Sequence, residues 1–316
     1  MALSLQNLHM PLELLRLIFE WVAEEDFATA LVLVRVSRAV QRWVEPSLYS
    51  TVQLSRPQTS GAFIRTIEGS RTKPPMFFAA YVKSLCILFD MPSEHMLRIT
   101  SVCTGIDNLT TWFLPSQSQI SAPPLSVARA LAAIQPRRIS VWHGITHPHP
   151  TDRYPFEGPV FSRVTHLNIT NIWEDWSLWH WEALPPTLTH ISLDLSFRAG
   201  QPQSGRIAAS VRRLLRDCRK LRVCALREVP RGLMSTALLL TERPEATIRG
   251  ALVSALEVLG WMDPRIVFFC IPDPFQLRKA HCEWEDLKWR VLEQATKQRL
   301  VGDTSALAGS SRSHCL

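Results

Sequence analysis

The chain has 316 residues, of which 46% are hydrophobic and 20% are charged, and its formal net charge is +7. This composition is typical of a globular protein and argues against a disordered or a membrane-embedded chain, since no apolar run reaches the roughly 20 residues of a membrane-spanning helix. Residues 1–10 also lack the basic start and apolar core expected of a signal peptide. The seven cysteines, an odd number without paired spacing, predict reduced thiols and therefore a cytoplasmic or nuclear location.

The first predicted element is an amphipathic helix that begins near Pro11, because proline suits the first turn, where its missing N–H would have no partner. Five residues at helical spacing predict its apolar side: Leu14, Leu15, Ile18, Trp21 and Val22. A second helix is predicted from Phe27 to Val44, after acidic residues that favour a helix N-terminus. Pro46 is expected to end this helix, and the alternation from Leu48 to Leu54 predicts a strand.

The two predicted helices contain more large apolar side chains than a unit of about 45 residues can enclose, because small units bury a small fraction of their surface. Part of this surface is therefore expected to dock on something else. The partner is either the rest of the chain, which the helices would cap, or another protein.

Two groups of residues in this segment resemble the F-box. The run Met10-Pro11-Leu12-Glu13-Leu14-Leu15, followed by Ile18-Phe19, resembles its opening, with Met10 in place of the usual leucine. Val36-Ser37-Arg38, then Pro46, Leu48, Tyr49, Val52 and Leu54, resemble the continuation in the large fungal (mushroom-type) family of F-box-like proteins, with Val40 in place of an aromatic residue. The resemblance implies docking to the Skp-type adaptor of a cullin–RING ubiquitin ligase complex. The adaptor-binding residues that it implies are Pro11, Leu12, Leu14, Leu15, Ile18 and Val36.

After Leu54 a loose Leu-x-x-Leu-x-Leu pattern recurs. Its middle positions are Leu85, Trp112, Ile139, Leu167, Ile191 and Cys224, at steps of 24 to 33 residues. Leucine-rich repeats have periods of 20–29 residues. Further triads are Tyr49/Val52/Leu54 before this series and Pro264/Val267/Phe269 after it. The pattern favours a degenerate leucine-rich-repeat solenoid, and the alternative is an α/β domain with unrelated alternations.

Helical returns are predicted between the strands, at 61–69, 125–134 and 207–218. A last helix is predicted from Glu283 to Leu300, where it would seal the open end of the solenoid. Its predicted apolar side consists of Trp284, Leu287, Val291 and Ala295. From Gly302 the chain is rich in Gly, Ser and Ala, which predicts a disordered tail.

Enzyme motifs are absent from the sequence: there is no Gly-rich phosphate loop, no Gly-x-Ser-x-Gly elbow and no His-Glu-x-x-His. We therefore expect neither catalytic residues nor a cofactor. His143, His147 and His149 lie close together, but no second ligand pair accompanies them as a zinc site requires. A solvated loop is the favoured interpretation, and no metal site is predicted.

Charge and tryptophan are each concentrated in one stretch. Residues 198–231 have ten basic and two acidic residues, a net charge of +8. They form either a solvated outer face or a site for acidic or phosphorylated partners. Nucleic acid is not expected as a partner, because interleaved stacking aromatics are lacking.

Tryptophan is concentrated in a second stretch. The tryptophans 142, 173, 176, 179 and 181 either pack in the core or serve as interface anchors.

The sequence thus predicts an α/β fold in which an N-terminal helical F-box-like module (8–50) precedes a degenerate leucine-rich-repeat solenoid (51–300) and a tail (301–316). The expected function is that of a substrate receptor in an SCF-type ubiquitin ligase, which binds a Skp-type adaptor and an unknown protein substrate. The alternative is a non-catalytic repeat scaffold without a ligase role. The exposed side of the strands is expected to bind the target through His166, His190 and Arg222.

Overall fold

One parallel β-sheet organises the chain. The computed structural model describes residues 10–69, 73–89, 91–111, 131–141, 159–169, 176, 181–195, 204–228, 254, 263–270 and 281–300. The helices are α1 Leu12–Glu25, α2 Phe27–Leu33, α3 Arg38–Ser50, α4 Pro57–Gly69, α5 Phe77–Tyr81, α6 Ser93–Val102, α7 Ser204–Asp217 and α8 His281–Leu300. The strands are β1 Thr51–Leu54, β2 Ser84–Ile87, β3 Asn108–Thr111, β4 Arg138–Val141, β5 His166–Ile169, β6 His190–Asp194, β7 Val223–Glu228 and β8 Ile266–Cys270. Within the described ranges, no helix is both long and apolar enough to span a membrane.

The predicted helix from Phe27 to Val44 is in fact two helices, α2 and α3. The Asp26 side chain accepts hydrogen bonds from the backbone N–H groups of Ala28 and Thr29, and it caps the start of α2. The Ser37 hydroxyl accepts a hydrogen bond from the N–H of Val40 and caps the start of α3. A serine cap satisfies an N–H group that would otherwise have no partner, so it favours a new helix start at this position.

The prediction that Pro46 ends the helix is also wrong, since α3 continues to Ser50 and the strand begins only at Thr51. Proline in a helix interior removes one hydrogen bond and is costly, so packing must favour the continued helix. Leu48 packs with the N-terminal helices, and Tyr49 makes edge-to-face contacts with Phe77 and Phe78 at 5.5 and 5.4 Å between ring centroids.

The eight strands lie in chain order, and each is parallel to the next. Adjacent strands pair in one continuous register, which places one apolar residue of each strand in a row across the sheet: Val52, Leu85, Leu109, Ile139, Leu167, Ile191, Cys224 and Ile266. All eight belong to one hydrophobic core. A leucine-rich-repeat solenoid requires the middle positions of its pattern to share one continuous core, and this prediction is confirmed for Leu85, Leu167, Ile191 and Cys224.

Two positions of the predicted series are wrong. In β3 the residue in register with Leu85 is Leu109, so the middle position is not Trp112, which lies outside the described residues. In β8 it is Ile266 that pairs with Cys224 and joins the core, whereas Val267 lies on the opposite side of the sheet. Both errors arise because apolar residues occupy neighbouring or nearby positions in these strands, and a one-residue slip exchanges the two faces.

The core side of the sheet is covered by returning segments. The predicted returns at 61–69 and 207–218 correspond to α4 and α7, and their apolar residues Phe63, Val211 and Leu214 are buried in the core. The predicted return at 125–134 lies mostly outside the described residues, although Leu131 and Ile134 are buried.

The opposite side of the sheet is called the front face here. From β2 to β7 it consists of Ser84, Asn108, Arg138, His166, His190 and Val223 and the residues two positions after each of them, and it continues to Asp194, Arg227 and Val267 in the last strands. The last helix, α8, packs against the front face of β7 and β8, where Trp289 and Leu292 join Val223, Ala225 and Val267 in a second apolar cluster. The predicted apolar side of this helix is confirmed at Ala295, which packs against this cluster, and wrong at Leu287, which is exposed; the side chain of Trp284 lies outside the described residues. The buried residues are Lys288, Trp289, Leu292 and Thr296.

Candidate functional site

The N-terminal helices hold one candidate surface. Helix α1 packs on α2 and α3, and its Ala23 belongs to the core that they share. Leu15 is also buried. On the predicted apolar side of α1, Leu14, Ile18 and Trp21 are 50%, 45% and 63% exposed. The core shared with α2 and α3 takes up other residues of the helix, since Ala23 is a buried member and Phe19 packs against it.

The exposed apolar residues of α1 form a stripe. Leu14, Leu17, Ile18 and Trp21 recur at i, i+3, i+4 and i+7, which places them on one face of the helix; we call this set the α1 stripe. Of the fifteen exposed large hydrophobic side chains among the described residues, ten lie between Met10 and Val36. Those outside the stripe are Met10, Leu12, Phe27, Leu31, Val32 and Val36. Such a concentration of exposed apolar residues is typical of a protein interaction surface.

The sequence-predicted adaptor residues divide into two groups. Pro11, Leu12, Leu14, Ile18 and Val36 are exposed and are available to a partner. Leu15 is buried and is therefore not accessible to a partner. The carbonyl oxygen of Pro11 accepts hydrogen bonds from the N–H groups of Leu14 and Leu15, at 3.0 and 3.2 Å, and this proline thereby starts the helix that displays the stripe.

The three-helix unit is joined to the sheet through α3. This helix leads directly into β1 and packs on α5. Lys73 forms an ion pair with Glu45 of α3, and its Nζ lies over the rings of Tyr49 and Phe77, 4.8 and 4.9 Å from the centroids. These contacts hold α3 against α5.

The front face of the sheet is the second candidate surface, and its first strands are polar. The Asn108 Nδ2 donates to the Ser84 hydroxyl at 3.0 Å, and the Asn168 Nδ2 donates to the Ser140 hydroxyl at 2.8 Å. Between these pairs lies Arg138, half-buried at the start of β4. These contacts link neighbouring strands side chain to side chain, and Ser84, Ser140 and Asn168 are buried.

His166 and His190 lie next to each other in β5 and β6, as the register requires. Their rings stack in parallel, 4.1 Å apart between centroids with an interplanar angle of 4°. The indole ring of Trp289 from α8 lies edge-on to both, with centroid distances of 5.2 and 5.7 Å. Glu293, one helical turn further, places Oε1 3.0 Å from the Nε2 of His190.

The chain's own helix therefore occupies part of the surface that was expected to bind a target. His190 is only 3% exposed, and His166 is half-buried, because α8 covers both. Arg222, the third sequence-predicted residue, is exposed. The predicted position of α8 at the end of the solenoid did not indicate the roles of Trp289 and Glu293. The spacing of Trp289, Leu292 and Thr296 is the sequence signal for the covered side.

Burial changes the protonation of this histidine pair. Burial lowers the pKa of His166 to about 3, and the charges of His190, Arg138 and Lys288 act in the same direction. The pKa of His190 is also lowered by burial, although Glu293 opposes the shift. His166 is consequently neutral at physiological pH, and its ring offers a lone pair.

A buried ion pair lies beside the histidines on the same face. Arg227 of β7 pairs with Asp194 of β6, and both side chains are almost completely buried. Burial raises the pKa of Asp194, while Arg227 and the nearby Lys288 of α8 lower it. The backbone carbonyl of Asp194 accepts a hydrogen bond from the Trp176 indole at 2.9 Å. The opposite charges of Asp194 and Lys288 thus help to hold α8 on the sheet. Local sequence does not indicate this contact, because it depends on strand register.

The basic stretch at 198–231 and the tryptophans lie in different parts of the structure. Helix α7 turns its apolar residues to the core and exposes Arg212 and Arg216 on the other side, so this basic surface lies away from the front face. Trp176 and Trp181 are buried in the core, which agrees with the packing interpretation for these two. The tryptophans 142, 173 and 179, and the histidines 143, 147 and 149, lie outside the described residues.

Comparison of the chain with protein-family models, with curated proteins and with solved structures finds no match.

Proposed function

We propose that this protein is a non-catalytic substrate receptor of an SCF-type ubiquitin ligase in the cytoplasm or nucleus. Its N-terminal F-box-like helices would bind a Skp-type adaptor and thereby the cullin complex. The sheet region, a degenerate leucine-rich-repeat solenoid, would hold a target protein. Such a receptor needs no catalytic residues, because its role is to hold two proteins at a fixed separation.

The observation that carries the proposal is the α1 stripe. Four large apolar side chains on one face of α1 are left to solvent, although the helix has a buried side of its own. A helix that only capped the repeats would turn its apolar residues toward them. The exposed face coincides with residues that resemble the F-box, Leu14 and Ile18 among them, and an apolar helix face of this kind suits a protein groove.

Support for a repeat architecture comes from the sheet. Strands that follow one another in sequence are also neighbours in space, and each contributes one residue to a single apolar row. The corrected row, from Val52 to Ile266, advances by 33, 24, 30, 28, 24, 33 and 42 residues. In repeat proteins each unit contacts mainly its neighbours, and the stack offers an extended surface for binding.

A scaffold without a ligase role is the second candidate. It is favoured by the direct continuation of α3 into β1 and by the packing of α3 on α5. These contacts give the N-terminal helices a structural role whether or not an adaptor binds.

The deciding experiment is a binding titration of the purified full chain with a purified Skp-type adaptor. We expect direct binding, and Ile18→Ala and Trp21→Ala should each weaken it by roughly 1–3 kcal/mol, the usual effect of removing an interface anchor. Leu97→Ala removes an exposed leucine of α6 and serves as the matched control with unchanged affinity. If the unaltered protein does not bind the adaptor, the scaffold without a ligase role becomes the favoured function.

A further inference from the structure

Polar side chains on the front face contact one another across the strands, and Thr110 of β3 is an exception. Asn108 contacts Ser84 at 3.0 Å, and Asn168 contacts Ser140 at 2.8 Å. Thr110 is in register with Ser140 and only 5% exposed, and its hydroxyl makes no hydrogen bond with a described residue. A buried hydroxyl without a partner is costly, so we expect a group from outside these residues to meet it.

Thr110 lines a cleft between the sheet and α8. Strands β3 and β4 form the floor of this cleft, and the indole of Trp289 forms its wall on the side of α8. Its volume is about 320 Å³ with the open mouth included, but the centre of a water molecule can occupy only about 20 Å³ of it. One water needs roughly 10–15 Å³ by the same measure. The cleft therefore admits one small chemical group and does not enclose a whole small-molecule ligand.

Arg138 gives the cleft a positive charge. This residue lies at the start of β4, in register with Asn108 and two residues before Ser140, and it lines the same cleft. No carboxylate is among the described residues that line it. A guanidinium group has several N–H donors in a planar fork, so it can bind an anion and still contact another group of the chain. The cleft consequently favours an anionic group.

The size of the cleft and its indole wall select among anions. A carboxylate is planar and smaller than a phosphate, which suits the narrow space above β3 and β4. Its oxygens can accept hydrogen bonds from the Arg138 guanidinium and from the Thr110 hydroxyl. The apolar stem of a glutamate side chain can pack against the indole of Trp289. A glutamate side chain therefore satisfies each of the three groups.

We propose that this cleft binds a glutamate side chain in an extended, acidic segment of a partner protein. At one edge of the front face, Thr51 and Gln53 of β1 are exposed, whereas α8 covers β7 and β8 at the other edge. A segment that enters over β1 can run across the strands as far as the cleft, where α8 blocks its further course. In naming the chemistry of the target, the inference rests on the proposed receptor function, but binding to the cleft needs no adaptor.

The test titrates the full chain with a blocked pentapeptide, acetyl-Ser-Gly-Glu-Gly-Ser-amide, and follows the Trp289 indole N–H by nuclear magnetic resonance. Trp289→Phe identifies this resonance among those of the 11 tryptophans. We expect a saturable shift with this peptide. The peptide with glutamine in place of glutamate should bind roughly tenfold more weakly, because it lacks the charge that Arg138 recognises. The peptide with phosphoserine at that position should also bind more weakly, because phosphate is larger than the space.

Arg138→Gln and Thr110→Val should each weaken binding of the glutamate peptide roughly tenfold, since each removes a hydrogen bond to a charged group. Thr110→Val keeps the shape of the side chain, and it should not lower the free energy of unfolding, because the lost hydroxyl has no partner among the described residues. This variant therefore suffices if Arg138→Gln fails to fold. Arg98→Gln is the matched control, because it removes the same charge from α6 on the core side of the sheet and should leave the affinity unchanged.

Three results overturn the proposal: no saturable shift, equal binding of the glutamate and glutamine peptides, or affinity that survives both Arg138→Gln and Thr110→Val. The first would mean that only water fills the cleft. Tighter binding of the phosphoserine peptide overturns the assignment to a carboxylate. Adaptor binding without peptide binding contradicts this inference alone, whereas peptide binding without adaptor binding supports the cleft and contradicts only the ligase role.

Discussion

Leu167 lies in the middle of the core row, on β5, and its side chain is fully buried. Truncation of such a residue leaves a cavity that a close-packed core fills only in part. We expect Leu167→Ala to lower the free energy of unfolding by about 2–5 kcal/mol, measured by urea denaturation. Leu97→Ala, on an exposed leucine, should change it by no more than about 0.5 kcal/mol. Equal effects of the two substitutions would contradict a single packed core.

Burial also determines the reactivity of single thiols. It raises the pKa of Cys103 and of Cys224 to about 12, above the ordinary value of 9.0. Because only the thiolate reacts, these two cysteines should alkylate roughly 1000-fold more slowly at pH 8 than an ordinary thiol. Peptide mapping after iodoacetamide treatment measures this for each cysteine, and the urea-unfolded protein is the control. Rapid labelling of Cys224 in the native protein would show that β7 opens readily.

At the scale of elements, the docking of α8 depends on a few side chains. Trp289 is buried between both histidine rings and the apolar residues of β7 and β8. We expect Trp289→Ala to lower the free energy of α8 detachment by about 3–5 kcal/mol, as loss of a buried tryptophan does. Hydrogen exchange of the α8 amides is the measurement.

Leu287→Ala is the control for this prediction, since Leu287 lies on the exposed side of the same helix. The control should leave exchange in α8 unchanged and so separate packing from helix propensity. If the α8 amides of the Trp289→Ala variant stay as protected from exchange as those of the parent protein, the ionic contacts of Lys288 and Glu293 hold the helix without the indole.

At the scale of the whole molecule, the N-terminal helices depend on the sheet. The fully buried part of their core is limited to Ala23, Ala30, Val40 and Val44, and units of this size bury too little surface to be stable alone. We expect a peptide of residues 1–50 to be largely unfolded by far-ultraviolet circular dichroism. The same residues should be helical in the full chain, where α3 packs on α5 and β1. A cooperative thermal transition of the peptide would contradict this dependence.

Several features of this protein follow from local sequence alone. The period-2 alternation of strands such as β2 and β5 indicates which residues enter the core, since successive side chains point to opposite faces. The helical spacing in α4 and α7 likewise indicates their buried sides. Where apolar residues are consecutive, as in Ile266-Val267-Phe268-Phe269, both faces are apolar and only strand pairing selects the core side. The same limit applies to α1, whose apolar residues extend around more than one side of the helix.

The sequence by itself therefore determined the α/β class, the core row at Leu85, Leu167, Ile191 and Cys224, and the apolar character of the N-terminal helices. Tertiary structure alone decided which apolar residues of α1 remain exposed, because the core shared with α2 and α3 takes up Ala23 and Phe19. It also brought Glu293 to His166 and His190, although more than 100 residues separate it from either histidine in the chain. Contacts between distant segments depend on register and docking, and neither follows from local spacing.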